Sequence, residues 1–141
     1  MTTIAYNHKD RQIAWDGRAT RNDVATDTNI QKKVIKNGVT FFITGVFSDQ
    51  SKMVDYYFGG RHEFIPECNC FAVDGGKVYY CGVTDNHELW KEEVTTNQAI
   101  GSGWKFALAA MDFGQSAKDA VKYAATRCIY TGGRIRVFNI D

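Results

Sequence analysis

Residues 71–74 and 77–83 are two β-prone runs on either side of Gly75-Gly76. A two-residue turn between such runs sets the register, so Asp74 faces Lys77, Phe71 faces Tyr80 and Cys70 faces Cys81. Strand alternation then puts Phe71, Val73, Val78 and Tyr80 on one face and Cys70, Ala72, Tyr79, Cys81 and Val83 on the other. Both faces are apolar, which means that this sheet has to be covered on both sides. A chain of 141 residues is expected to form one domain, residues 1–141, around one core, so the covering must come from stacked layers of the same domain.

The rest of the chain supplies those layers. Residues 3–8 and 11–16 read as a hairpin turning at Lys9-Asp10, with Ile4, Tyr6, Ile13 and Trp15 as its apolar positions. Because the outer ends of a hairpin are cross-strand neighbours, this hairpin carries Asp16 back toward Thr2. Residues 18–30 are polar and show neither periodicity, which predicts a loop with a short strand at most. A strand starting at Lys32 and a second over 39–44 flank Lys36-Asn37-Gly38, and Asn-Gly between β-prone runs is the strongest short hairpin signal.

Ser48 is placed as the N-cap and Asp49 as the first-turn acid of a helix reaching Phe58, with Met53, Val54, Tyr57 and Phe58 on one face. A connector over 59–67 holds the single proline, Pro66. Short strands are expected at 89–90 and 98–100. A helix over 104–113 offers Phe106, Ala109 and Ala110 for packing and stops at Gly114. Ser116 with Asp119 resembles a capping box that opens a helix over 117–127, whose small face is Ala120, Val121, Ala124 and Ala125. Residues 134–140 alternate as a last strand. This order predicts an α+β chain with two sheets and helices outside both.

The charge balance excludes some functions. Lys and Arg number 17 against 16 Asp and Glu, which gives no basic footprint for nucleic acid and no cationic face for a membrane surface. Neither a secretory signal nor an 18-residue apolar run is apparent, so the expected location is cytoplasmic. In that setting Cys68, Cys70, Cys81 and Cys128 are expected as reduced thiols. A metal module built from Cys68, Cys70 and Cys81 with His62 or His87 is a weaker reading, because Cys-x-Cys is not the usual spacing for structural zinc.

The chain starts Met1-Thr2-Thr3-Ile4. Removal of Met1 would leave Thr2 with a hydroxyl nucleophile and a free α-amine on one residue. Six segments then follow in order: Thr2-Thr3-Ile4, Asp16-Gly17-Arg18-Ala19-Thr20, Lys32-Lys33-Val34, Gly45 with Asp49, Ala99-Ile100-Gly101-Ser102-Gly103, and Cys128-Ile129-Tyr130-Thr131. As an ordered set they resemble the HslV peptidases, relatives of the proteasome β-subunit. The resemblance covers residues 2–49 and 98–131. Between Asp49 and Phe71 the chain is shorter than that family, with room for one helix where the family has two.

The resemblance implies a four-layer αββα sandwich of the N-terminal nucleophile hydrolase class and a threonine peptidase. It implies that Thr2 is the nucleophile with its α-amine as base, that Asp16 and Lys32 are the charged pair beside it, that the Gly45 N–H faces the oxyanion, and that Ser102 stands near the amine. No cofactor is implied beyond a monovalent cation, sodium, on the backbone carbonyls of Ala125, Cys128 and Thr131. It also implies a homo-oligomer, a ring ATPase partner of the HslU type, which the short 49–71 region puts in question, and a peptide or unfolded protein as substrate. The chemistry stands without the family: an α-amine titrating near ~8 is a usable base for a hydroxyl, and a neighbouring Lys⁺ favours the neutral amine. The alternative is a catalytically inactive scaffold or assembly protein on the same fold.

Overall fold

The computed structural model describes residues 2–141. Its contacts divide the chain into two compact units, one formed by Lys33–Val94 and the other by the residues up to Lys32 together with Thr95–Asp141.

In the unit that holds both ends of the described chain, four antiparallel strands run in the order β10-β1-β2-β11. They are β1 (Thr3–Asn7), β2 (Gln12–Trp15), β10 (Gln98–Gly101) and β11 (Arg136–Asn139). Two helices, α2 (Trp104–Asp112) and α3 (Ala117–Arg127), pack on one face. That face is made of small residues: Ala5, Ala14 and Ala99 from the strands meet Ala107, Ala110, Ala117, Ala120, Val121 and Ala124 from the helices. Ile4, Tyr6, Ile13, Trp15 and Ile100 alternate with those alanines and are buried as well. Alanine on alanine lets helix and strand backbones approach closely, and that closeness brings the turn after α3 to the start of β1.

The sequence misassigns part of α2. Phe106 and Ala109 are exposed, and the packed face is Ala107, Ala110 and Met111 instead. The i, i+3, i+4 spacing of the smaller residues wins, because a Phe would hold the helix away from the alanine-lined sheet. In α3 the reading holds closely: Ser116 Oγ accepts the Asp119 N–H at 3.1 Å, and Ala117, Ala120, Val121 and Ala124 are buried.

Residues 18–30, expected as a loop, contain a small two-stranded hairpin of β3 (Ala19–Arg21) and β4 (Val24–Asp27). Its turn residues Asn22 and Asp23 have φ of 49° and 66°, the left-handed pair of a tight hairpin turn. Asn and Asp tolerate that region better than other non-glycine residues, a signal that the polar composition hides.

The other unit is a five-stranded antiparallel sheet, β5 (Lys33–Lys36), β6 (Val39–Gly45), β7 (Cys68–Asp74), β8 (Lys77–Val83) and β9 (Leu89–Glu93), in sequence order. The expected register of the 71–83 hairpin is observed, with Cys70 opposite Cys81, Phe71 opposite Tyr80 and Asp74 opposite Lys77. One helix, α1 (Gln50–Tyr57), follows a 3-10 turn over Phe47–Asp49, and it is the one helix between β6 and β7. Met53 and Val54 cover Phe41, Ile43, Cys70, Ala72 and Cys81.

The expected cap of α1 is different. Asp49 makes no side-chain cap; its carboxylate accepts the Glu67 N–H at 2.9 Å and pairs with Lys52 at 3.2 Å. Phe58 lies past the helix and is exposed, while Tyr56 is buried with its hydroxyl donating to the His62 carbonyl. The three thiols Cys68, Cys70 and Cys81 are core residues, and no group of three His, Cys, Asp or Glu side chains among the described residues is arranged to hold a metal. Burial raises the Cys68 thiol to about 12, with the Asp49 charge adding to the rise, so it stays protonated.

Two substitutions test local reasoning. Ser116→Ala should lower the unfolding free energy by about 1 kcal/mol through loss of the cap. Gly75→Ala meets no neighbouring atom, so its expected cost of about 1–2 kcal/mol is purely that of the left-handed backbone at φ 60°. Urea unfolding of each variant checks both.

Candidate active site

The site is assembled at the start of β1, within the unit that carries both ends of the described chain. The β1–β2 pairing sets Ile4 opposite Trp15, so the next residue along β2, Asp16, comes beside Thr2 and Thr3. Asp16 is fully buried. Its Oδ1 accepts the Thr3 N–H at 3.0 Å, the Thr2 hydroxyl, and the Lys32 ammonium at 2.8 Å. Its Oδ2 accepts the Gly132 N–H at 2.9 Å and the Arg18 N–H at 3.4 Å. Lys32 Nζ also donates to Thr2 Oγ1 and to the Arg18 carbonyl at 2.9 Å. The Thr2 hydroxyl therefore stands between a carboxylate that accepts its proton and an ammonium that supports its oxygen.

Strand alternation separates the two adjacent threonines. Thr2 Oγ1 meets Asp16 and Lys32, whereas Thr3 Oγ1 points the other way and bonds Thr131 Oγ1 at 2.7 Å. Close backbone approach fixes the surroundings. A Cβ on Gly101 would overlap the Thr2 carbonyl oxygen, one on Gly103 would overlap Thr3 Oγ1, and one on Gly17 would come to 2.7 Å from the Thr28 carbonyl. Backbone atoms exclude a side chain at Gly101 and Gly17, and the buried, hydrogen-bonded hydroxyls of Thr3 and Thr131 exclude one at Gly103.

Ser102 lies beside the first residues of β1. Its hydroxyl donates to the Thr2 carbonyl at 3.3 Å, and the cap of α2 is Gly103, without a side-chain bond. Cys128 Sγ lies 3.4 Å from Ser102 Oγ. Burial pushes that thiol up, but hydrogen bonds to Ser102 and Thr131 and to the Tyr130 and Thr131 backbone outweigh it and leave the pKa below its usual value. Ala125 lies in the last turn of α3, Cys128 caps it, and the Cys128 carbonyl accepts the Thr131 N–H at 3.1 Å. Lys32 lies one residue before β5 rather than within it. Gly45 belongs to the other unit, where it ends β6 with φ 121° and a Cβ would overlap the Glu67 carbonyl. Met1 lies outside the described residues.

Burial pulls the Lys32 pKa below its ordinary value, and the charge and hydrogen bond of Asp16 offset part of that shift. Two groups the sequence did not single out complete the cluster: the Gly132 N–H and Arg18. The Gly132-Gly133 pair directly after Thr131 was the available signal, since tandem glycines mark a close backbone approach.

With this geometry described, the class is plain: the fold is that of HslV and the proteasome β-subunit. Three of the solved structures this chain resembles are the following. Thiobacillus denitrificans BPH in complex with epoxomicin aligns at TM-score 0.75 and 17% identity, covering 97% of this chain and 97% of that one. Thiobacillus denitrificans BPH in a second structure aligns at 0.74 and 18%, covering 97% and 96%. The eukaryotic HslV from Trypanosoma brucei aligns at 0.73 and 16%, covering 97% and 98%. At these identities the likeness is one of fold. No protein-family model and no curated protein matches the sequence.

Lys32→Met leaves Asp16 charged and buried without its cation, and is expected to cost about 3–5 kcal/mol in urea unfolding. The Lys32 pKa also predicts a pH dependence. Folded Lys32 binds its proton less tightly than unfolded Lys, so between its lowered pKa and about 10.4 the unfolded chain holds more protons and stability rises with pH. The burial penalty is fully present below the folded pKa and is gone above the unfolded one. The Cys68 thiol, raised by burial, titrates in both proteins and makes stability fall over the same range, so the measurement is a difference: from pH 8 to about 11 the unfolding free energy of wild type should rise relative to that of Lys32→Met.

Proposed function

We propose that the chain is a threonine-type peptidase in which removal of Met1 leaves Thr2 with a free α-amine beside its hydroxyl. The observation that carries this reading is the buried three-way contact of Thr2 Oγ1, Asp16 Oδ1 and Lys32 Nζ. A buried Lys–Asp pair that closes on a hydroxyl is more than a structural ion pair needs.

In this reading the α-amine, with an ordinary pKa near ~8, takes the hydroxyl proton directly or through a water. The Lys32 ammonium stabilises the oxygen as charge develops on it, and Asp16 holds the ammonium in place. Thr2 Oγ1 then bonds the scissile carbonyl carbon, the C–N bond breaks, and the proton passes to the leaving amine. Water hydrolyses the resulting ester and restores Thr2. The Gly45 N–H would receive the oxyanion, a role typically worth roughly 3–4 kcal/mol. Ser102, bonded to the Thr2 carbonyl, would fix the peptide unit that carries the amine.

Three further features belong to the proposal. The αββα sandwich is supported by the faces of the two sheets: one carries α2 and α3 on one face and buried Ile4, Tyr6 and Ile13 on the other, and the other carries α1 on one face and buried Phe42, Phe71 and Val78 on the other. The backbone carbonyls of Ala125, Cys128 and Thr131 would hold a monovalent cation, sodium, in and after the last turn of α3, where the negative end of the helix dipole favours positive charge. Assembly of several copies, with or without a ring ATPase, and peptide or unfolded-protein substrates complete the reading; among the described residues no helix is long and apolar enough to cross a membrane.

The test is covalent labelling with epoxomicin. Mass spectrometry should find Thr2 as the mature N-terminus and one adduct on it, with adduct and peptide hydrolysis both lost in Thr2→Ala. Hydrolysis that persists in Thr2→Ala would require another nucleophile. A protein that keeps Met1 and takes no adduct would be the inactive scaffold.

A further inference from the structure

The side chain of Arg18 takes no part in the chemistry above, yet its backbone lies in the middle of the site. Its N–H approaches Asp16 Oδ2 at 3.4 Å and its carbonyl accepts Lys32 Nζ at 2.9 Å. Any residue could supply those two groups. The guanidinium does something else: Nη1 donates to the Ile129 carbonyl at 2.9 Å, across the turn that follows α3. Its flat face lies on Gly132, where a Cβ would stand 2.6 Å from Cζ and from Nη2 and 2.9 Å from Nε. Gly132 is the residue whose N–H bonds Asp16 Oδ2 at 2.9 Å, and whose carbonyl accepts the Gly17 N–H at 3.1 Å. The path closes on itself, from Asp16 along the chain to Arg18, through the guanidinium to the 129–132 turn, and back to Asp16.

The two carboxylate oxygens of Asp16 have different duties. Oδ1 serves Thr2, Thr3 and Lys32, while Oδ2 serves Gly132 and Arg18. A carboxylate turns about its last bond over a broad, roughly two-fold potential, so the donors on Oδ2 decide where Oδ1 points. Gly132 is the shorter of those two contacts, and it sits on a turn outside any strand or helix. Something must hold that turn. A planar cation with several donors, laid on a residue without a Cβ, does so in a way that an ammonium on a flexible stem cannot. Arg18 Nε is buried and has no hydrogen-bond partner among the described residues, so the side chain keeps this pose at a cost in its own hydrogen bonding.

We propose that Arg18 is a positioning residue: its guanidinium clamps the 129–132 turn so that the Gly132 N–H stays on Asp16 Oδ2, which aims Oδ1 at Lys32 and Thr2. This rests on the threonine-peptidase reading for its effect on rate, but the clamp itself is a property of the fold.

The test uses the full chain and two independent readouts. In Arg18→Met the maximal rate of epoxomicin adduct formation should fall about a hundredfold, the scale of a misplacement near 1 Å, while the reversible inhibitor constant stays at its wild-type value. Amide hydrogen exchange should quicken at Gly132 and remain unchanged at Ala5 and Ala14, in the middle of the sheet. Arg18→Lys should restore neither readout. Gly132→Ala should reproduce both, and the double variant Arg18→Met/Gly132→Ala should be no worse than either single change, because both remove the same contact. If wild type takes no adduct, the peptidase reading falls and Gly132 exchange alone decides the clamp. Wild-type exchange at Gly132 in Arg18→Met overturns the proposal, and so does equal loosening of Ala5 and Ala14, which would make Arg18 a general stabiliser. A labelling rate unchanged in Arg18→Met where wild type is labelled overturns it too.

Discussion

One buried carboxylate holds this site together. Asp16 accepts from two threonine groups, two further backbone amides and an ammonium, and these five donors come from four separate places in the chain. A charge out of contact with water needs that many partners, since each lone pair left empty would cost what an unmade hydrogen bond costs. The start of β1, the end of β2, the residue before β5 and the turn after α3 meet at this point because the carboxylate requires all of them. Lys32 alone would balance the charge, but the amides of Thr3 and Gly132 fix the direction in which that charge acts.

The alanine-rich packing makes the meeting possible. Ala5, Ala14 and Ala99 against Ala120 and Ala124 let α3 lie low on the sheet, so the turn that ends α3 reaches the first residues of β1. Glycines at 17, 101 and 103 remove the side chains that would block the last approach. Small residues here are a condition for the polar cluster above them, and the core and the site cannot be varied independently.

The sequence was legible where local rules act in isolation. Asn37-Gly38 and Gly75-Gly76 take positive φ and close the expected hairpins, the second in the expected register, and Ser116 caps α3 as its spacing requires. It misled where two local rules competed. Phe106 is the more hydrophobic residue, but Ala107 and Met111 share the face that fits an alanine-lined sheet. Asp49 reads as a first-turn acid of α1, but it lies just before the helix and its carboxylate holds a distant amide of the connector. For the site, Thr2, Asp16, Lys32 and Ser102 were named from the chain and lie together in the structure, while the Gly132 N–H and the Arg18 guanidinium went unseen. A backbone amide has no letter in a sequence, and an arginine two residues past a carboxylate reads as surface charge until the turn it holds is known.

In the proposed peptidase, the opposed orientation of the two neighbouring threonines would set how accurate the removal of Met1 has to be. A cut one bond too far would still present a threonine with a free amine, chemically indistinguishable in a peptide. Its hydroxyl would face Thr131 on the wrong side of the strand, away from both the carboxylate and the ammonium. For the proposed peptidase, tandem threonines would therefore offer no tolerance: an aminopeptidase that overshot by a single residue would remove the proposed nucleophile while leaving an end that looks intact.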